Sequence, residues 1–505
     1  MTFGLGRIAG FVLLASCFLA ALSARGAERS LAPDFGPNLS DRAISYARTC
    51  DADGAGYFTL PGSDLCLNFG GRAFSDLALR HVPLTAFTPN PGAPLRSTYP
   101  ATSRAPNPAS VGGGLGLGAS IGAQLPTEAG PVSAYVDVTT IFGAGMLSPN
   151  PAGVYSPQAD LAGVNPNAWL NFTRLDQAWL HWAGWTAGRA QSIFDFYADA
   201  YNIMPLRGSN AHTELLAYRF QPTPGVMAAL ALENNRERRN LVGQAVNVNA
   251  SADYSGPGFP DPVAAVRVES PFGVAQLSGA AHELRTRYVA PESVAPGQPD
   301  ANTTTQWGFA AQGGLKVNLP NLSDADAMIL QATYARGASA YLTGDNQPLF
   351  AGVNDPSHPG IANPRLAAAP GLTSYDYDCV TATPQPFGKC DQSSGYALIA
   401  AFKHFWTPTL SSSLFASFFG MNYTEAARTG APGVAGASNY RETSVGANLT
   451  WTPLKNMMVG GEIAFTQGKA SGASGAAPVA PQQPNSPAWP TANEWSGRIR
   501  VQHNF

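Results

Sequence analysis

The sequence is short of charge. Asp, Glu, Lys and Arg make up only 12% of its 505 residues, about half the usual share of a soluble domain, so a large solvated surface is excluded. It also lacks an excess of either sign: the net charge is −3, which gives no footprint for nucleic acid. Past residue 24, no apolar run approaches the ~18 residues that a membrane helix requires. Close CxxC-type pairs are missing, and with them the usual zinc frameworks. No His stands in a recognisable motif with a nucleophile, which leaves a hydrolytic triad without support. The sequence gives no reason to expect a cofactor, a metal or an enzyme.

What is present points to strands and export. Fifty-three Gly and 42 Pro imply many turns and few long helices. Residues 1–27 read as a secretory signal: Arg7 is the basic start, Ile8 to Leu22 the apolar stretch, and small residues allow cleavage near 24–27. Leu14-Ala-Ser-Cys17 has the form of a lipoprotein acylation box. Phe18 to Leu22 continue the apolar run, however, so Cys17 is expected to leave with the signal. The remaining Cys50, Cys66, Cys379 and Cys390 suit disulfides in an exported chain, most simply Cys50–Cys66 and Cys379–Cys390. A membrane protein without apolar helices must be a closed barrel, because lipid offers unpaired backbone groups no partner.

Alternation supports that reading. From Trp495 to Phe505 the odd positions are Trp, Gly, Ile, Val, His and Phe, while the even positions are Ser496, Arg498, Arg500, Gln502 and Asn504. The stretch is long enough for a tilted strand to cross a bilayer. In 67–80, Leu67, Phe69, Ala73, Leu77 and Leu79 oppose Asn68, Arg72, Asp76 and Arg80; in 262–270, Val266 and Val268 oppose Arg267 and Glu269. Strands are expected at 67–80, 111–124, 131–141, 172–183, 185–190, 214–221, 225–234 and 262–270. The second half adds 272–283, 304–318, 325–341, 395–406, 409–424, 439–452, 455–467 and 493–505, about sixteen in all. Short connections (126–130, 183–184, 222–225, 270–271, 319–324, 407–408 and 453–454) alternate with long ones. The long ones are 81–110, 142–171, 191–213, 235–261, 284–303, 342–394, 425–438 and 468–492. Such segregation is that of an all-β, transmembrane antiparallel barrel with short periplasmic turns and long external loops. Trp179, Trp182, Trp185, Trp406, Trp451 and Trp495 lie near strand ends, as in interfacial girdles.

Cys50-Asp-Ala-Asp-Gly-Ala-Gly-Tyr-Phe-Thr-Leu-Pro-Gly-Ser-Asp-Leu-Cys66, followed by Leu67-Asn-Phe-Gly-Gly-Arg-Ala-Phe-Ser-Asp-Leu77, resembles the alphaproteobacterial porin family. Gly188-Arg-Ala-Gln-Ser-Ile-Phe-Asp-Phe-Tyr197 is similar to the start of that family's third loop, and a terminal Phe505 marks outer-membrane barrels more widely. The resemblance implies a sixteen-stranded barrel, usually a homotrimer, that passes small hydrophilic solutes across the Gram-negative outer membrane. It also implies that loop 191–213 folds inward as a constriction. Asp195, Asp199, Arg207 and Glu214 would then face wall charges drawn from Arg72, Arg80, Arg189, Arg219, Arg267, Lys403, Arg498 and Arg500. On that arrangement, neutralising Asp195 and Asp199 shifts ion selectivity towards anions.

Other expectations follow from position. Residues 28–66 form a periplasmic segment with the Cys50–Cys66 hairpin; 67–505 is the barrel, and 342–394 is an external loop whose disulfide limits an exposed segment. Lipid, lipopolysaccharide and the outer-membrane assembly machinery, which reads Phe505, are the expected partners. Val111-Gly-Gly-Gly-Leu-Gly-Leu-Gly118 superficially suggests a dinucleotide loop, but no helix follows, and its glycines better suit close backbone packing. Glu233-Asn-Asn-Arg-Glu-Arg-Arg239 reads either as a solvated loop or as a contact for lipopolysaccharide phosphates. A passive porin is the leading function. The alternatives are a substrate-selective channel and a non-conducting exported adhesin or structural protein.

Overall fold

The computed structural model describes residues 48–49, 57–59, 63–81, 111–145, 170–240, 242–244, 251–255, 258–289, 303–343, 377–381, 390–429, 439–471 and 491–505. The expected signal with its Cys17 box, and Cys50, lie outside the described residues. Sixteen long strands form the wall. They are β1 Cys66–His81, β2 Val111–Leu125, β3 Val132–Gly145, β4 Leu170–Trp182, β5 Trp185–Gln191, β6 His212–Thr223, β7 Val226–Glu233 and β8 Asp261–Ser270. The others are β9 Gly273–Val289, β10 Thr303–Asn318, β11 Ala327–Arg336, β12 Ser394–Thr407, β13 Leu410–Asn422, β14 Asn439–Trp451, β15 Met457–Ser471 and β16 Thr491–Asn504. Each pairs antiparallel with its sequence neighbours. β16 pairs back onto β1, from Trp495 opposite His81 to Asn504 opposite Arg72. The sheet is closed and has no edge.

The expected strands are all found. β11 is shorter than expected because Gly337 takes φ +61° and the helical turn Ala340–Thr343 follows. Between β4 and β5, Ala183 (φ +47°) and Gly184 (φ +85°) make a two-residue turn with both central residues left-handed, the form that matches strand twist.

Period-two alternation sorts side chains to two surfaces. Leu230, Leu277, Leu414 and Val445 are exposed on the outside, Leu277 to 71%, while Ala231, Ser278, Ser413 and Ser444 point inward and are buried. An apolar belt that continues around a closed sheet is the surface expected against lipid. Trp182, Trp185 and Trp406 are exposed by the short turns, and Trp307 and Trp495 lie towards the other ends of their strands, so aromatics flank the belt on both sides. Trp179 departs from the expected girdle. Asp176 is an extra residue in β4 opposite β3, and this bulge turns Trp179 inward, where it stacks on Tyr135 at 5.5 Å.

One side of the interior is solid. Phe194, Tyr341, Leu342, Phe419, Met421 and Tyr440 form a buried cluster against small inward residues such as Ala217, Ala280 and Ala310. The 3-10 turn Asn235–Arg238 and the short strands Val242–Gln244, Cys379–Thr381 and Asp391–Gln392 belong to the same filling. The Glu233–Arg239 charge cluster is therefore divided and not simply a solvated loop: Glu233, Arg238 and Arg239 are buried in the interior, while Arg236 is exposed and Glu237 pairs with Arg189. Cys379 and Cys390 are joined, with Cα atoms 5.5 Å apart, and are buried beside Leu284. That bridge lies in the interior filling, and the residues between its two cysteines from 382 to 389 lie outside the described residues. Cys66 is also disulfide-bonded.

Candidate functional site

The connection between β5 and β6 enters the barrel and crosses to the opposite wall. Its neck is closed by Ser192 N donating to the Ala211 carbonyl at 2.9 Å. Asp195 accepts from Ala211 N (2.7 Å), from the Ser209 hydroxyl and from Arg238 Nη2 (3.2 Å). Ala198 and Asp199 both have positive φ, at 45° and 55°, a conformation that costs non-glycine residues energy. Asp199 sustains it by accepting from Asn202 Nδ2 (2.8 Å), Asn210 Nδ2 (3.0 Å) and Leu206 N (3.1 Å). Burial pushes the Asp199 carboxyl above the usual range, and these three donors pull it back.

The far wall holds the loop through two polar rows. Gln276, Gly314 and Gln331 lie side by side on β9, β10 and β11, and Ser278, Gln312 and Thr333 form the next row. Gln276 Nε2, Ser278 Oγ and Gln312 Nε2 all donate to the Phe194 carbonyl, and Gln331 Oε1 accepts from Tyr197 N. Gly314 leaves the space that the Phe196 ring fills. At the loop tip, Glu462 on β15 accepts from Ile203 N and Met204 N, both at 2.6 Å. Asn448 Nδ2 donates to the Tyr201 carbonyl at 2.7 Å. None of these anchors was among the expected site residues; the available signal was polar residues, uncharged apart from Glu462, recurring on the inward face of successive strands.

With the loop resting on β9 to β16, the open part of the lumen lies along β16 and β1 to β4. Arg72 donates through Nη2 to Thr139 Oγ1 (2.6 Å) and Asp176 Oδ2 (2.9 Å), and Arg174 pairs with the same Asp176. Arg500 grips Asp76 with Nε and Nη2, both at 2.7 Å, and Arg498 lies 3.8 Å from it. Gly118 stands between Arg72 and Thr139 in register, and a Cβ there would come 2.8 Å from the Arg72 side chain; one at Gly116 would strike the Phe74 ring at 2.0 Å. Gly116 and Gly118 thus make room for side chains of the neighbouring β1.

The expected site residues divide accordingly. Arg72, Arg219, Arg267, Lys403, Arg498 and Arg500 are on inward faces. Arg207 is inward too, but lies against the wall, 3.6 Å from Glu442 with its guanidinium 4.6 Å over Phe419. Arg80 stands in β1 opposite Ser496, with its side chain outside the described residues. Asp199 is engaged within the loop, Asp195 by the loop and by Arg238, and neither confronts the wall charges. Glu214 and Arg189 are opposite each other on the outer face, near Asn234 and Glu237, because Glu214 shares parity with exposed Leu216 and Tyr218. They are not pore residues. Arg174, Asp76, Asp137 and Asp176 join the lumen side; none of the four was among the expected pore residues, although Asp76 was expected on the polar face of its strand.

The comparisons agree with this geometry. The family described as "Porin subfamily" matches residues 40–489. Porin Omp2b of Brucella melitensis is 24% identical over 304 residues, covering 59% of this chain and 71% of that protein. Porin Omp2a of the same organism is 26% identical over 227 residues, covering 44% and 54%. Among solved structures, the outer membrane channel DcaP of Acinetobacter baumannii shares the fold, with TM-score 0.53 and 13% identity over 87% of this chain and 97% of that one. A closed sixteen-strand barrel, a lipid-facing belt, a loop folded into the lumen and a family match over most of its length agree: the chain belongs to the porin subfamily and is a channel of the Gram-negative outer membrane.

Proposed function

We propose that the passage between loop 192–211 and the wall of β16 and β1 to β4 is a passive, water-filled route for ions and small hydrophilic solutes. The observation that carries this is the anchoring of the loop along β9 to β16, which narrows the lumen and leaves the charged wall facing it. The barrel is read as a homotrimer in contact with lipid and lipopolysaccharide, on the support of family membership. Purified protein in a planar bilayer should give stepwise conductance that rises with salt and does not saturate. Saturation by one solute class would favour a substrate-selective channel instead, and absence of any conductance would overturn the reading.

Phe505 is proposed as the residue read by the assembly machinery. Its ring is exposed on the outer face, and its backbone exchanges two hydrogen bonds with Gly71, at 2.8 and 3.0 Å. Loss of those two bonds costs about 2 kcal/mol. Deleting Phe505 should lower the yield of heat-modifiable barrel while leaving the conductance of assembled pores unchanged. An undiminished yield would remove the role.

A further inference from the structure

We propose that the passage prefers anions, and that Arg72, Arg174 and Arg500 form a wall site for small solutes bearing carboxylate or phosphate groups. This rests on the reading of the chain as an open channel and names the solute class of that same route. On β16, β1, β3 and β4 the inward acids and bases are nearly balanced in number. Their depths differ. The side chains of Asp76, Asp137 and Asp176 are 2%, 12% and 5% exposed, whereas those of Arg500, Arg72 and Arg174, which cover them, are 19%, 37% and 29% exposed.

A solute in the lumen therefore meets guanidinium groups first, with the carboxylates behind them. Attraction falls with distance and is screened by salt, so the nearer sign governs a mobile ion. The buried acids also position the donors. Asp76 engages two of the five N–H donors of Arg500, and the planar fork that remains suits oxyanions.

The same order holds elsewhere on the inner faces of the strands. Glu442 and Glu462 are buried, and Asp195 is buried within the loop. Arg219, Arg267, Lys316 and Lys403 continue the basic series towards the ends with short turns. Among the described inward strand residues, the carboxylate with substantial exposure is Glu269, and it is paired with Arg267 at 2.7 Å.

The test is the reversal potential of the reconstituted full chain across a KCl gradient. A chloride-to-potassium permeability ratio of about threefold or more is expected at low salt, declining towards unity near 1 M, where the Debye length is about 3 Å. Arg72→Gln, Arg174→Gln and Arg500→Gln should each lower the ratio. Arg72→Lys should keep it and weaken block by inorganic phosphate, because ammonium lacks the bidentate fork. Arg500→Gln leaves buried Asp76 with only the more distant Arg498, at 3.8 Å, so the double variant Asp76→Asn/Arg500→Gln serves where the single one folds poorly. It should show the same loss. A cation-selective or unselective wild type overturns the proposal, as does a ratio indifferent to all three Gln variants. Folded, heat-modifiable protein with no conductance would instead overturn the channel reading beneath it.

Discussion

Arg238→Ala should destabilise the folded barrel by about 3–5 kcal/mol, the range for removing one partner from a buried ionic cluster. Arg238 is buried in the interior filling, with Nη2 3.2 Å from Asp195 Oδ1 and Nε 3.7 Å from Glu233 Oε2. Its guanidinium also lies 4.6 Å over the Tyr341 ring. Without it, the two buried carboxylates lose the cation between them and keep neutral donors, Ser209 and Ala211 N at Asp195 and Ser192 and Ile193 N at Glu233. One of them, Asp195, holds the loop neck, so damage should spread from stability to the constriction. The temperature at which the barrel loses heat-modifiable mobility measures the first effect. Restoring neutrality should return part of the loss, so Arg238→Met/Glu233→Gln is expected to be more stable than Arg238→Met. A transition temperature unchanged in Arg238→Ala would show that the cluster carries no net stabilisation.

Glu462→Ala should free the loop tip. Two backbone N–H groups, of Ile203 and Met204, would lose their acceptor, and Asn448 Nδ2 would lose a partner at 3.0 Å. Leaving each buried donor unmet costs about 1–3 kcal/mol, so the anchored position gives up roughly 2–6 kcal/mol relative to a detached one. That is enough to populate detached states at equilibrium. Single-channel records should show larger open-state current noise and a shifted mean conductance. Glu462→Gln retains one acceptor oxygen and should fall between. Quiet records from Glu462→Ala would place the tip's anchorage elsewhere, on the Gln276, Gln312 and Gln331 rows.

Much of the fold was legible because a barrel writes its two surfaces into every second residue. The terminal strand states the rule most clearly, and the alternation of short and long connections supplies the strand count. Legibility failed where local geometry changes the parity. The Asp176 bulge turned Trp179 inward, and Glu214 and Arg189 were assigned to the lumen by type when their register places them outside. The strand boundary at 341 was overrun because Gly337 and a short helix end β11 early. Charge type alone also misplaced Asp195 and Asp199. An acid in an inward loop is as able to fold the loop as to face the passage, and only its hydrogen-bond partners decide. Asp137 and Asp176 escaped notice for a related reason, since an Asp beneath an Arg has no signature in the sequence.

The glycine face of β2 gives the wall a recess in which Phe74 and Arg72 lie nearly flush. A methyl group added at Gly116 or Gly118 would lift one of those side chains into the lumen without touching the loop or any ion pair of the far wall. Pore calibre and pore charge are thus coupled here, because filling the recess moves Arg72 itself or the Phe74 ring, over which the Arg500 guanidinium lies at 4.6 Å.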